Sequence, residues 1–491
     1  MRAPVGGAFE EAPTVRDRRA RPSAVAANRG GLIGIISTFA AVTWGEMAVS
    51  ASSLPKPNPL FGHFPAYGRD PLGFALRVND LGGIVPIRMG PIPGLLISDP
   101  GAIEEVLVTK NRDFRKSLAT RRISVVTGNG ILTSNGETWR EHRRAIQPAF
   151  HSGRIRAWAD VMTQETTATI DSWPTNSSLD IHREMYELTL RIVVRTLLAS
   201  DVTDDEIKTV GAELAKGSHH FDSRFNGLKF FIPDFLPTPG NLRMHAGVRR
   251  LDHIVYRLIE QRRAAKTRGE HGNDVITLLL EQTPPLTNRE IRDEVMTLFL
   301  AGHETTALAL TWGLFLLARN PAKQEALRAE LANVLKVGAS PGLADIPRLP
   351  YTEAVVNETL RLYPPAYAVS REAVQPTVIG GHELGKRHLA LVSIYAAHRN
   401  PQTFAQPAEF IPERWLDGLA RRLPKGAFVP FAEGPRKCIG ASFAMQEAIL
   451  ALATICARIR VTPTTDHEPR LIPAVTLRPA HPVVMTIEKT P

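Results

Sequence analysis

Apolar positions recur at helical spacing over most of residues 139 to 282, with breaks at the Pro-rich FFIPDFLPTPGN (230–241) and the polar KTRGEHGND (266–274). The longest element the pattern predicts starts behind Thr287. Glu290 follows at capping-box spacing and no proline occurs before Pro321, so a helix of about nine turns is expected. From Val295 to Leu317 it is apolar nearly all round, which sends it through the middle of the protein. A further helix, TEAVVNETLRLY (352–363), ends at Pro364, and a last one opens just after Cys438. GIVPIRMGPIPGLLISDP (83–100) predicts a hairpin and LALVSIY (389–395) a strand. With no internal repeat and no phosphate-binding Gly-rich loop, the expectation is a mainly α fold with a small β subdomain.

The N-terminus differs. Residues 1–30 carry six arginines against three acids without apolar periodicity and read as disordered. The apolar run 32–44 spans about 13 residues, short of the ~20 needed to cross a bilayer. Met47 opens a stretch that suits a natural start, so residues 1–46 are expected to be a dispensable extension and 47–491 a single domain.

At 43% hydrophobic and 22% charged residues the chain is expected to be globular. The net charge of +10 admits nucleic acid, a membrane surface or an acidic protein as partner, but no nucleic-acid-binding motif accompanies it. Two cysteines, Cys438 and Cys456, exclude a disulfide framework and favour a reducing cytoplasm.

Cys456, inside ILALATICARI, is expected to be a small buried hydrophobe. Cys438 stands in FAEGPRKCIG (431–440) at the mouth of a helix, where free N–H groups favour a thiolate. Gly434 and Gly440 would let the backbone turn and approach a flat object, Arg436 would reach a carboxylate, and Phe431 would cover one side. This loop resembles the haem-binding loop of cytochromes P450, with the family's Phe, Gly, Arg, Cys and Gly at Phe431, Gly434, Arg436, Cys438 and Gly440. The resemblance implies haem b as cofactor, with Cys438 as the axial thiolate and iron ligand. A nucleophilic cysteine is the competing reading, and it requires a His partner that the sequence does not locate.

AGHETT (301–306) in the long helix resembles the family's oxygen-activation segment. Ala301 and Gly302 would leave room over the haem, and the resemblance makes Thr305 and Glu304 the catalytic proton-delivery residues. Against this stand a Thr hydroxyl bonded back to its own helix and a surface carboxylate. His303 reads as structural, because the second histidine of a zinc-binding H-E-x-x-H would fall on Ala307. NETLRLYPP (357–365) and FIPERW (410–415) resemble the family's E-x-x-R helix and its partner segment. Glu358, Arg361 and Arg414 are therefore assigned to fold and haem-pocket integrity, with no part in chemistry. GILTSNGETWREHRRAIQPAF (130–150) resembles the family's helix beside the haem propionates, which implies that Trp139 and Arg143, one turn apart, would donate to a propionate, with His142 a further candidate. Arg371 matches another propionate position. The resemblance covers about residues 54–486.

It implies a monooxygenase acting on a hydrophobic substrate. By the resemblance the pocket is lined by the segment before Trp139, Leu298, Ala301, 366–369 and 474–476, whose largely small and apolar side chains favour an extended or bulky hydrocarbon over a charged metabolite. AGHETTALALTW with LRLYPPA and VTLRP is similar to bacterial carotenoid-ring hydroxylases and also to fatty-acid hydroxylases, and a carotenoid or other terpenoid is put first. No flavin motif is present and two cysteines cannot hold an iron–sulfur cluster, so a separate ferredoxin and its NAD(P)H-dependent reductase would supply electrons. Arg140, Arg143, Arg144, Arg421, Arg422, Lys425 and Lys437 would make the thiolate side basic. A peroxide-using enzyme and a non-enzymatic haem sensor are the alternatives; Glu304 with Thr305 counts against the first, and no output domain accompanies the second.

Overall fold

The computed structural model describes residues 54–490 apart from 199–201, 226–229, 231, 271, 273 and 337. The expectations for residues 1–46 lie outside the described residues. The helices that frame the site are α1 (Gly136–Ile146), α2 (Ile181–Val193), α3 (Asp204–Phe225), α4 (Pro239–Thr267), α5 (Asn288–Arg319), α6 (Pro350–Leu362) and α7 (Ala441–Arg458). Strands β1 (Ile84–Met89), β2 (Ile92–Ile97), β3 (Phe114–Lys116), β4 (Ser177–Asp180), β5 (Ala368–Ala373), β6 (Leu389–Ser393), β7 (Ile459–Pro463), β8 (Leu471–Pro473), β9 (Leu477–Pro479) and β10 (Val484–Lys489) form small sheets beside them.

The long helix is α5, 32 residues. Thr287 Oγ1 accepts from Glu290 N–H at 3.2 Å and the Glu290 carboxylate accepts from Thr287 N–H at 2.8 Å, the reciprocal capping box that the spacing predicts. Its flanks pack against α2, α4, α6 and α7, so it runs through the largest apolar cluster. From Ile291 to Ala318 every residue is buried except Ala301, Gly302, Thr305 and Ala309. Three of these, at i, i+4 and i+8, share one face, so an open stripe runs down an otherwise enclosed helix.

The hairpin falls where expected, with β1 and β2 antiparallel around a Gly90–Pro91 turn and Met89 opposite Ile92. Its sheet has the order β1-β2-β6-β5-β3. The strand predicted to Tyr395 stops at Ser393, whose hydroxyl caps a short helix by accepting from Ala396 N–H at 3.1 Å. β4 has no apolar alternation in its sequence, Ser-Ser-Leu-Asp; pairing with the C-terminal β10 makes it a strand. α7 is long and apolar enough to cross a membrane by composition, but its middle is wrapped by α5, α6 and the helix Ala159–Ser172, as a core helix is.

Candidate active site

Cys438 sits between a short turn and α7. Its N–H donates to Phe431 O at 2.9 Å, which closes the 431–438 loop on itself. Gly434 holds φ +72°, and a Cβ there would lie 2.0 Å from Leu107 O, so this glycine is obligatory. Gly440 differs from its expectation. Its φ of −87° suits any residue and a Cβ would make ordinary contact with Phe150, so its contribution is its N–H, directed at the Cys438 sulfur. The thiol is accessible to solvent, while the protein packed around it pushes its pKa up. The Gly440 N–H, Arg143 and Lys437 pull the other way and favour the thiolate. Cys456, by contrast, is buried in α7 with its pKa pushed up to about 12.

A group of cations lies beside this loop. Lys116 on β3 and Arg371 on β5 are directly opposed in the antiparallel pair and both are buried. Arg436 joins them, donating to Phe114 O at 2.9 Å and lying over the Trp139 ring at 5.4 Å. Arg143, one turn beyond Trp139, donates to Lys437 O at 2.8 Å. Burial and then the neighbouring Arg436 lower the Arg371 pKa to about 10. Burial followed by Arg371 and Arg436 brings Lys116 to about 7. Among the described residues no carboxylate forms an ion pair with Lys116, Arg371 or Arg436. Like charges opposed across a buried strand pair are destabilising on their own. The arrangement fits a ligand that brings two carboxylates, and a dicarboxylate porphyrin over Cys438 meets that requirement. Trp139, Arg143, Arg371 and Arg436 are thus brought together. Lys116 was not singled out from sequence; the basic FRKS after a polar turn gives no hint that its ammonium faces Arg371.

His142 does not join this group. α1 turns it onto α5, where Nδ1 meets Glu294 Oε1, both side chains fully enclosed. The open stripe of α5 carries Ala301 and Thr305, but the space beside Gly302 is taken by Val193 of α2, whose Cγ2 would lie 3.1 Å from an added Cβ. Gly302 therefore serves helix packing. Thr305 Oγ1 donates to Ala301 O at 2.9 Å, the helix-bonded state set out as the alternative for this residue.

Glu304 is no surface carboxylate. Buried at 2% exposure, it accepts from Ser218 Oγ of α3 at 3.1 Å and from Thr476 Oγ1 at 3.0 Å, with Arg478 Nε at 3.6 Å. Arg478 also pairs with Asp222 of α3. Nothing in the local sequence around Glu304 signals partners 86 and 172 residues away. His303 is structural, buried against Tyr186 at 4.5 Å with its pKa depressed to about 4 by burial. Glu358 accepts two bonds from Arg361, at 2.9 and 2.8 Å, within a fully enclosed pair, and one at 3.0 Å from the partly buried Arg414.

A thiolate loop, a buried cation group awaiting carboxylates and an open stripe on the central helix define the class of haem-thiolate oxygenases. The Cytochrome P450 family profile matches residues 53–486. Cyclooctatin synthase of Streptomyces melanosporofaciens is 37% identical over 86% of this chain and 92% of its own length. From the same organism, cyclooctat-9-en-7-ol 5-monooxygenase is 35% identical over 85% and 91%. Pentalenene oxygenase of Streptomyces avermitilis is 33% identical over 87% and 95%. The chain belongs to the cytochrome P450 family and is a monooxygenase with haem as its cofactor.

Proposed function

We propose that this monooxygenase hydroxylates a terpenoid in the cytoplasm, with electrons delivered by a separate ferredoxin and its NAD(P)H-dependent reductase. Haem, when bound, would supply activation of O₂, and a thiolate ligand would favour O–O cleavage. Cys438 is the residue that provides that thiolate, held by the Gly440 N–H. Trp139, Arg143, Arg371 and Arg436 would hold the porphyrin carboxylates, and Lys116, whose Nζ donates to Ile131 O and Ser134 O, would add positive charge behind them.

The observation that carries the substrate reading is the open stripe of α5. It offers a methyl, a hydroxyl and a methyl at Ala301, Thr305 and Ala309, one turn apart, and Leu298 precedes it. Such a wall excludes water and grips hydrocarbon without asking for a charged group. Relatives named for cyclooctat-9-en-7-ol and pentalenene support a terpenoid. Thr305 holds the proton-delivery position on the stripe, and Glu304 beside it would relay protons taken from water once its bonds to Ser218 and Thr476 open.

The partner reading rests on charge and shape. Arg144, Lys437, Arg421 and Arg422 are exposed, and Arg144, Gln147, Pro148, His151, Gly153 and Arg154 line an open depression beside Phe150, which packs near Gly440. An acidic ferredoxin complements that surface.

Binding spectra test the substrate. Cyclic terpenes and carotenoids are titrated into the ferric protein beside sterols and fatty acids of matched size. A high-spin Soret shift at the lowest concentrations with terpenoids is expected. Saturation by fatty acids alone would turn the reading to a fatty-acid hydroxylase.

A further inference from the structure

The two carboxylates at Asp293 and Glu294 leave the apolar pattern of α5 and are both buried. They face the segment that leads into α1. Asn129 N–H donates to Asp293 Oδ2 at 2.8 Å and Ile131 N–H donates to Glu294 Oε2 at 3.0 Å. Gly128, at φ +57°, lets the chain come so close that an added Cβ would sit 2.1 Å from Asp293 Oδ1. From the opposite side Lys116 Nζ donates to Ile131 O and to Ser134 O. The remaining oxygen of Glu294, Oε1, takes His142 Nδ1. His142 stands three residues after Trp139 and one before Arg143, so this contact, with the approach of Nε2 to Glu290 Oε1 at 3.9 Å, helps to hold the rotation of α1 about its own axis and with it the direction in which both donors point.

We propose that His142 and Glu294 are positioning residues for the haem carboxylates: their buried pair ties α1 to α5 so that Trp139 and Arg143 face the porphyrin, and the tie is charge-assisted. Neither touches the reacting centre. The Glu294 hydrogen bond, against the opposing effect of burial, raises the His142 pKa, with further help from the charges of Glu294, Glu290 and Glu141. Burial raises that of Glu294, so the pair keeps a proton above the pH at which a free histidine loses it. The charged groups facing the pair are Glu290 and Asp293 on α5, Glu141 on α1 and Lys116 on β3. Val275–Leu280 and Gln147–Phe150, also packed on α1, carry no ionisable side chain. The sign follows. A histidine whose pKa is raised on folding contributes fully below its ordinary value, and the contribution is lost as pH rises through the folded value.

The test measures haem retention, with no turnover involved. Ferric protein is mixed with excess apomyoglobin and haem transfer is followed in the Soret band from about pH 5.5 to about pH 8.5. His142→Phe and Glu294→Gln are expected to release haem about tenfold faster than wild type at the acid end, the scale of one charge-assisted hydrogen bond, with the gap narrowing toward the alkaline end. His142→Asn retains an N–H near the Nδ1 position without the charge and carries the test if the other variants do not fold. It is expected to release haem faster than wild type at acid pH and at the wild-type rate at alkaline pH. A wild-type rate for all variants, or a rate ratio independent of pH, would overturn the proposal. So would full additivity of His142→Asn with Arg143→Met, because a residue acting through Arg143 loses its effect once Arg143 is gone.

Discussion

Cys438 could be read from ten residues of sequence because a loop that turns at a left-handed glycine and ends at a helix mouth is local information. Lys116 could not, because its meaning arises from Arg371, which lies opposite it across a strand pair and far away in sequence. His142 shows the same limit: the triplet of Trp139, His142 and Arg143 is legible as one helix, but the facing of each side chain depends on what α5 presents. Cys438→Ser is expected to abolish monooxygenation, since an alcohol ligand lacks the electron push of a thiolate. The check is the reduced, carbon-monoxide-bound spectrum, where wild type shows the red-shifted thiolate Soret band and the variant does not. Thr305→Ala is expected to keep haem and substrate binding, because the hydroxyl bonds only to Ala301 O of its own helix and alanine leaves an apolar surface at that place in the wall. Product formed per NAD(P)H consumed should fall by roughly tenfold or more as reducing equivalents are lost to peroxide. An unchanged ratio would make Thr305 a helix hydroxyl and nothing else.

Among the elements, α5 was legible end to end because its start is a side-chain capping device and its stop is a proline, both written in adjacent residues. β4 was not, because a polar tetrapeptide becomes a strand only when β10 arrives to pair with it. The α6 helix lies between these cases. Its i, i+3 spacing of Glu358 and Arg361 could be read, whereas its enclosure by Trp415, Ile411 and three backbone carbonyls could not. That enclosure decides the energetics. Glu358 and Arg361 are both at 0% side-chain exposure, so Glu358→Gln strands a guanidinium with no counter-charge. A loss of about 3–5 kcal/mol is expected, the cost of breaking a buried ion pair from one side. Denaturant midpoints with haem bound measure it. The fraction that remains folded should turn over at the wild-type rate, since the pair touches nothing on the open stripe of α5.

At the scale of the whole molecule, the helix that carries Trp139 and Arg143 on one flank carries Arg140 and Arg144 toward solvent. On the proposed reading one short element would serve both the haem carboxylates and the outer face, and part of the protein's net charge of +10 lies there. Sequence alone gave the excess of charge but not its placement, because Arg144 and Lys437 are 293 positions apart and meet only through the contact of Arg143 with Lys437 O, itself spanning 294. Exposed charges act mainly on encounter, through a field screened over roughly 8 Å at physiological salt. Arg144→Glu and Arg421→Glu are therefore expected to leave haem content and terpenoid binding unchanged. Each should raise the KM for an acidic ferredoxin by about threefold to tenfold at low salt, and the penalty should shrink as salt is added. Stopped-flow reduction of the protein by the reduced ferredoxin across a salt series provides the check. Reduction rates that match wild type at low salt would place the docking surface elsewhere on the molecule and leave the basic face without a role in electron delivery.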